Sequence, residues 1–215
     1  MTGFSGKIDL PAPVREAIAC LEAHGHTAWA VGGGVRDSLR GVTPHDWDLT
    51  TSALPDETSA ALAAYEVYPT GLRHGTVTAK IDGMALEITT YRTEKGYTDG
   101  RHPDKVDFVA NIEDDLLRRD FTVNAMAYHP ERGLCDPFGG QSDLQNGLIR
   151  AVGDPDARFT EDALRILRGV RFVSKTGFAI ERQTGYAMRR QLARLEAIAH
   201  ERVLEELTGI LTGPY

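Results

Sequence analysis

The alternation of apolar and polar residues is clearest in Gly75–Tyr91. Apolar residues occupy every second position there, on both sides of Asp82-Gly83. Asp-Gly is a preferred two-residue turn between antiparallel strands. The segment is therefore predicted to form a β-hairpin, in which Glu87 points to the face opposite Leu86 and Ile88.

Elsewhere the apolar pattern predicts strands and helices that mix first and then give way to helices. The predicted strands are Thr27–Val31, His45–Thr50 and Val106–Val109. The predicted helices are 13–24, 35–40, 56–65, a stretch after Asp120, and then 161–173, 182–195 and 200–211. Residues 92–104 are polar, contain two glycines and a proline, and predict a loop. We expect an α+β head over residues 1–150, in which helices flank a mixed sheet, and an all-α segment over 151–215.

The composition is that of an ordinary globular protein, with 41% hydrophobic and 26% charged residues among 215. No apolar run approaches the ~18 residues that a membrane span needs, and the first residues lack a signal-peptide pattern. Cys20 and Cys135 are far apart in sequence, which favours free thiols in a reducing compartment. We therefore expect a cytoplasmic protein without membrane attachment, and nothing indicates a protein partner.

Charge is unevenly distributed along the chain. The net charge of −7 and the pI near 5.5 argue against a general nucleic-acid binder. From Arg158 to Arg202, however, ten Lys and Arg residues stand against five Asp and Glu residues. This segment is either a local basic surface or a solvated helical face.

Asp46 and Asp48 are the first candidates for chemistry. Residues two apart in a strand point to one face, so the predicted strand presents both carboxylates together, with Trp47 buried behind them. Such like charges repel unless a cation lies between them, and Mg²⁺ prefers these hard oxygen ligands. Phosphoryl-transfer enzymes use pairs of such ions, although an isolated DxD is also common in solvated turns.

A glycine-rich turn precedes this pair. Gly33 lies between a predicted strand and a predicted helix, where backbone N–H groups can bind phosphate, and Arg36 adds a charged donor. A ligand-free tight turn is the alternative, but Arg36 stands ten residues before Asp46, and the combination is more specific than either part. Glu87 is a third acidic candidate, either as a direct metal ligand or as a residue that supports the metal ligands without binding the metal.

Two further sets of charged residues are candidates for nucleotide binding. Arg119 and Asp120 would hold a triphosphate or ribose hydroxyls, although Asp120 would also serve as a helix N-cap. Asp162 and Arg165 lie on one predicted helix, and salt bridging on a solvated face is their simplest role. Cytosine and adenine both present an amine donor beside a ring-nitrogen acceptor, so an Asp–Arg pair would select these two bases.

These residues occur in blocks that resemble the class II tRNA nucleotidyltransferases, which include bacterial CCA-adding enzymes and their poly(A) polymerase relatives. The resemblance runs from about Ala30 to the C-terminus. The matching blocks are 32–37, 45–55, 87–92, 101–103, 115–122, 136–140, 158–162 and 201–203. Their number and order make an accidental match very improbable.

The resemblance implies an enzyme with a nucleotidyltransferase head and a helical neck, which adds CMP and AMP from CTP and ATP to the tRNA 3′ end. It implies that Asp46 and Asp48 hold Mg²⁺, and that Arg168 and Arg171 line the same pocket as Asp162 and Arg165. Members of this family usually continue into body and tail domains beyond residues 201–203. We therefore expect those domains to be absent and tRNA binding to be weak.

Several alternatives share parts of this pattern. A poly(A) polymerase, or an enzyme that adds only CC or only A, would share the catalytic residues. The acidic charge disfavours the first, and the complete-looking loop at 92–103 favours full CCA or A addition. A small-molecule nucleotidyltransferase would not need Asp162 and Arg165, and a non-catalytic RNA-binding piece would not need the paired carboxylates.

Overall fold

The computed structural model describes residues 7–95 and 105–215. The helices are α1 (Ala12–Ala23), α2 (Gly33–Leu39), α3 (Pro55–Ala61), α4 (Ile112–Leu117), α5 (Gly140–Asn146), α6 (Pro155–Glu161), α7 (Leu164–Thr176), α8 (Arg182–Gln191) and α9 (His200–Leu211). The strands are β1 (Ala28–Val31), β2 (Asp48–Thr51), β3 (Glu66–Gly71), β4 (Thr76–Ile81), β5 (Met84–Thr90), β6 (Arg92–Lys95), β7 (Lys105–Phe108), β8 (Ala127–His129), β9 (Gly133–Cys135), β10 (Leu148–Ile149) and β11 (Ala179–Ile180).

The chain forms two compact units. The first contains the described part of residues 1–93 together with Val106–Leu116 and Met126–Pro137. The second contains Leu117–Ala125 and Phe138–Tyr215 among its described residues. The predicted boundary between residues 150 and 151 remains a prediction.

The first unit is built on a seven-stranded mixed sheet in the order β3-β4-β5-β2-β1-β8-β9. β2 is central, with β5 parallel on one side and β1 antiparallel on the other. α1 packs against this sheet through Val14, Ala17, Ile18 and Leu21, which recur at the spacing of one helical face. The predicted α+β class with flanking helices is confirmed.

The predicted hairpin is confirmed as β4 and β5. Asp82 and Gly83 have φ angles of 49° and 82°, as the preferred two-residue turn requires. Leu86 and Ile88 are buried, whereas Glu87 between them is exposed. The hairpin therefore carries Glu87 on the polar face of the sheet.

Several other predicted elements differ from the structure in their bounds or their type. β2 begins at Asp48, so Asp46 precedes the strand in which it was predicted. The stretch after Asp120 is only a 3-10 turn, Thr122–Asn124, because the following residues pair as β8 with β1. Arg92–Lys95 is a strand rather than the start of a loop. The rest of that loop, with the block at residues 101–103, lies outside the described residues.

The second unit is mainly helical, as predicted for the neck, with a short parallel pair between β10 and β11. The helix predicted over residues 161–173 is present as α7, but its predicted start is wrong, because the chain is extended at Asp162, with φ −142° and ψ 105°. Asp162 Oδ1 accepts a hydrogen bond from the Leu164 N–H at 3.0 Å and so caps α7. Asp162 therefore lies between α6 and α7 rather than on the same helix as Arg165.

No helix in the described residues is long and apolar enough to span a membrane.

Candidate active site

The first part of the site is a pair of exposed carboxylates at the start of β2. Asp46 and Asp48 are exposed, whereas Trp47 between them is 5% exposed. The chain thus keeps its strand-like alternation ahead of the strand itself, and the predicted burial of Trp47 is confirmed. Both carboxylates are therefore exposed, although only Asp48 belongs to β2.

Glu87 lies beside this pair through strand pairing. In the parallel register of β2 and β5, Asp48 is the partner of Glu87, and Leu49 is the partner of Ile88. Both acids are exposed and both aliphatic residues are buried. Because paired strands lie ~4.8 Å apart, the sheet holds the two acids next to each other on its polar face.

The glycine turn leads directly into α2, close to the first carboxylate. Gly32 has φ 70° and ψ −130°, a conformation that only glycine adopts readily. A Cβ atom added to Gly34 would lie 2.7 Å from the Trp47 ring and 3.2 Å from the Asp46 carbonyl oxygen. Glycine at position 34 therefore lets the first turn of α2 pack against the backbone between the two acids.

Arg36 is held within this turn. Its Nε and Nη2 each donate to one carboxylate oxygen of Asp37 at 2.9 Å. The guanidinium is largely buried, with 14% of the side chain exposed. Asp37 therefore fixes the orientation of the Arg36 guanidinium.

Asp120, in the second unit, is buried and bound by other side chains. Arg168 donates to Oδ2 through Nε at 2.8 Å and Nη2 at 2.7 Å, and Asn124 donates to Oδ1 at 3.1 Å. Burial alone raises the pKa of Asp120, but the charge of Arg168 and these hydrogen bonds lower it to about 2. The carboxylate therefore orients Arg168, while Arg119 before it is half-buried.

Arg165 does not pair with Asp162. Its Nη1 donates to Glu161 at 2.7 Å and to the Arg158 carbonyl oxygen at 3.3 Å, and its Nη2 donates to the Arg118 carbonyl oxygen at 3.1 Å. The residue is 8% exposed. The contacts of Arg165 fix its guanidinium from three sides.

Asp162 is held by a different residue, Arg202 of α9. Arg202 Nη2 donates to Asp162 Oδ2 at 2.9 Å. Arg202 Nη1 is buried and has no hydrogen-bond partner among the described residues. The predicted Asp162–Arg165 pair is therefore two separately anchored side chains.

Arg168 and Arg171 share an acidic partner on α9. Glu206, which is 5% exposed, accepts from Arg171 Nε at 2.5 Å and lies 3.8 Å from Arg168 Nη1. Both guanidinium groups lie over the Phe172 ring, 5.5–5.7 Å from its centroid. The arginine ridge predicted on α7 thus packs against α9, and Arg168 connects Asp120 to Glu206.

Sequence reasoning missed Glu161, Arg202 and Glu206, which anchor these arginines and Asp162. Glu161 and Arg202 stand in the blocks that carry the family resemblance. Nothing in the sequence, however, indicates that Arg202 pairs with a residue forty positions earlier. The only available signal was the presence of Arg202 in a recognisable block.

The seven-stranded mixed sheet, with the acidic row of Asp46, Asp48 and Glu87 beside a helix that follows a glycine turn, defines the head of a nucleotidyltransferase. The family model described as "Poly A polymerase head domain" matches residues 28–150. A second model, "Probable RNA and SrmB- binding site of polymerase A", matches residues 177–215. The chain belongs to the poly A polymerase head domain family.

Curated relatives carry the name CCA-adding enzyme. The protein of Lactobacillus helveticus is 48% identical over 195 residues, which cover 91% of this chain and 48% of that protein. The protein of Bacillus cytotoxicus is 47% identical over 198 residues, which cover 92% of this chain and 49% of that protein. The chain therefore spans about half the length of the curated relatives it matches.

Solved structures agree with this assignment. The Bacillus stearothermophilus CCA-adding enzyme in complex with CTP is 40% identical, with a TM-score of 0.87 over 95% of this chain and 50% of that chain. The Thermotoga maritima CCA-adding enzyme complexed with tRNA is 27% identical, with a TM-score of 0.79 over 94% of this chain and 47% of that one. The family is generally metal-dependent.

Proposed function

We propose that this chain is the catalytic part of a template-independent RNA nucleotidyltransferase that adds CMP and AMP from CTP and ATP to the 3′ end of tRNA. The observation that carries the proposal is the pairing of Asp48 with Glu87 beside Asp46. Relatives named CCA-adding enzymes, with solved complexes containing CTP, ATP and tRNA, support these substrates. We further propose a cytoplasmic location, where tRNA is matured.

Mg²⁺ is the metal we propose for this site. Among the described residues there is no group of three or more His, Cys, Asp or Glu residues arranged to hold a metal ion. Mg²⁺ does not need one, because proteins often bind it through one or two carboxylates together with substrate phosphates. Asp46 and Asp48 would hold it, with Glu87 beside them. When bound, it would stabilise the charge that develops on the attacking and leaving oxygens.

The two other candidate residues of the first unit, Gly33 and Arg36, would bind the triphosphate. The N–H of Gly33 at the start of α2, together with the Arg36 guanidinium, would donate hydrogen bonds to the β- and γ-phosphates. In the reaction, the RNA 3′-oxygen bonds to the α-phosphorus, the bond to the β-phosphate bridging oxygen breaks, and pyrophosphate leaves. The proton of the 3′-hydroxyl passes to water or to an exposed carboxylate.

Base choice would depend on the second unit. Asp162 would accept a hydrogen bond from the amine of cytosine or adenine, and Arg165 would donate to the neighbouring ring nitrogen. Arg119 and Asp120 would hold the phosphate or the sugar of the nucleotide, and Asp120 would do so by orienting Arg168. The hydrogen bond that Arg165 donates to Glu161 and the one that Arg202 donates to Asp162 support this proposal, because they fix the direction of both base-reading side chains.

The second candidate is a poly(A) polymerase, which the names of the matching family models favour. Both activities would use the same carboxylates, so the product distinguishes them. A CCA-adding enzyme stops after three nucleotides, whereas a poly(A) polymerase continues with ATP alone.

The proposal is tested by incubating this chain with Mg²⁺, labelled CTP and ATP, and a high concentration of tRNA that lacks its terminal CCA. A high RNA concentration is needed because the chain has a net charge of −7, and phosphate contacts normally dominate RNA affinity. We expect incorporation of C before A and a product three nucleotides longer. Long A tails would favour the polymerase, and no incorporation of either nucleotide would refute both candidates.

A further inference from the structure

The row of cross-strand partners that begins with Asp48 and Glu87 continues toward the edge of the sheet. Thr78 of β4 is the register partner of Glu87, and Tyr68 of the edge strand β3 is the register partner of Thr78. With Asp48, these residues form one cross-strand row. Since neighbouring strands lie ~4.8 Å apart, the row extends about 14 Å from Asp48 to Tyr68.

Tyr68 belongs to the polar face rather than to the core. Its neighbour Val67 pairs with the buried Ala79 on the opposite face, whereas the Tyr68 side chain is 48% exposed. Its hydroxyl donates to Glu66 at 2.5 Å, which limits the directions open to the ring. The ring therefore contributes little to core packing, and its surface is available to a ligand.

The groups around Tyr68 on this face are hydroxyls, one carboxylate and one cation, since Glu66 is the register partner of Lys80. The hydroxyls of Thr70 and Thr78 lie 2.8 Å apart, and Lys80 is exposed two residues from Thr78 along β4. Single-stranded nucleic acids bind to such surfaces, because aromatic rings stack on bases while hydroxyls and lysines contact sugars and phosphates.

The chemistry sets the direction from which the acceptor approaches. In an in-line displacement, the attacking and leaving oxygens lie on opposite sides of the transferred phosphorus. The phosphate-binding turn of α2 follows β1, which is on one side of β2, and Gly34 of that turn approaches the Asp46 backbone. The 3′-oxygen must then approach from the other side, over β5 and Glu87.

We infer that the row from Glu87 to Tyr68 binds the single-stranded 3′ end of the RNA acceptor, with Tyr68 stacking on a base upstream of the reacting nucleotide. This inference rests on the proposed function. It assigns acceptor binding to the part of the sheet between Glu87 and the edge strand β3, to which the proposed function gives no role.

Three variants of the full 215-residue chain test this inference. Tyr68→Ala removes the ring, Tyr68→Phe keeps it, and Tyr65→Ala removes a nearby tyrosine that bonds instead to Glu16 of α1 at 3.0 Å. The first measurement is kcat/KM for tRNA lacking CCA, together with KM for CTP. The second is quenching of 2-aminopurine in a short single-stranded RNA, two positions from its 3′ end.

Loss of one base-stacking contact predicts that Tyr68→Ala lowers kcat/KM for RNA about tenfold, with KM for CTP unchanged. Tyr68→Phe and Tyr65→Ala should stay within about twofold of wild type in both measurements. An unchanged kcat/KM in Tyr68→Ala, or an equal loss in Tyr68→Phe, would overturn the inference. If the wild type transfers no nucleotide, the proposed function fails, and quenching decides alone: it supports the inference if it depends on the ring and refutes it otherwise.

Discussion

The two units place charged side chains in opposite environments. In the first unit, Asp48 and Glu87 are exposed on one face of a sheet, and Asp46 is exposed just before it. In the second, Asp120 is buried and held by Arg168 in a network of hydrogen bonds. Exposed acids stay accessible to a ligand from solution, whereas buried charges need partners within the protein. Removing a residue from the first region should therefore affect chemistry, and removing one from the second should also affect stability.

The largest effect is expected in the exposed region. Asp48→Ala should reduce nucleotide transfer by roughly a thousandfold or more, because charge stabilisation worth several kcal/mol is lost from the transition state. The free energy of unfolding should hardly change, since the side chain is exposed. Single-turnover transfer and urea unfolding measure the two quantities.

Asp56→Ala is the matched control, since Asp56 is another exposed aspartate of the first unit, in the first turn of α3. It should retain transfer close to that of the wild type. Activity of Asp48→Ala within tenfold of wild type would contradict the assignment of the acidic row.

The intermediate effect is expected at Asp120, where it should depend on pH. The charge of Arg168 and the hydrogen bonds to Asp120 lower the pKa of this carboxyl from its ordinary value of 3.8 to about 2 in the folded chain. A lowered pKa stabilises the fold above the unfolded pKa, and this contribution is lost as the pH falls through the folded value. The difference is worth about 2 kcal/mol at neutral pH.

Asp120→Asn should therefore be less stable than wild type by about 2 kcal/mol at pH 7, and the gap should narrow below about pH 4. Urea unfolding of both proteins between pH 7 and the lowest pH at which they remain folded measures this. A gap that stays constant over the whole range would show that the charge of Asp120 does not stabilise the fold.

The smallest effect is expected at Arg202, which acts through Asp162. Arg202→Ala should narrow the preference for CTP and ATP over UTP and GTP by roughly fivefold, because Asp162 keeps one of its two hydrogen bonds. Arg165→Ala should narrow it more, by roughly ten- to a hundredfold, since a direct charged hydrogen bond to the base is lost. The measurement is kcat/KM for all four nucleotides on one acceptor.

A purely structural role for Arg202 would lower kcat for all nucleotides equally. A positioning role predicts instead that the loss falls mainly on KM for CTP and ATP, and that Arg202→Lys restores part of the preference. Equal losses for all four nucleotides would rule out the positioning role.

Local patterns predicted the first region better than the second. Asp82-Gly83 and the alternation around Glu87 depend on neighbours in sequence, and the hairpin was predicted correctly. The pairing of Asp48 with Glu87 was not predictable in this way, because it joins strands 39 residues apart through a parallel register. The sequence therefore indicated which residues face the solvent, but not which of them lie next to each other in the sheet.

In the second region the pattern misled at Asp162. The three-residue spacing from Asp162 to Arg165 fits a helix, yet α6 ends at Glu161 and the Asp162 side chain caps α7 instead. Aspartate competes for backbone N–H groups in this way, and the outcome depends on tertiary contacts such as the bond from Arg202. Buried ion pairs between distant segments have no local signature, so Glu206 was missed as well.

The parallel register of β2 and β5 also limits which changes in chain length the protein can tolerate. Deleting one residue from β5 before Glu87 would exchange the two faces of the strand, because side chains alternate along it. Ile88 would then face solvent, and the acid would enter the core. A deletion in the segment between α3 and β3 would leave this register intact, so insertions and deletions among natural variants should collect there and avoid the strand.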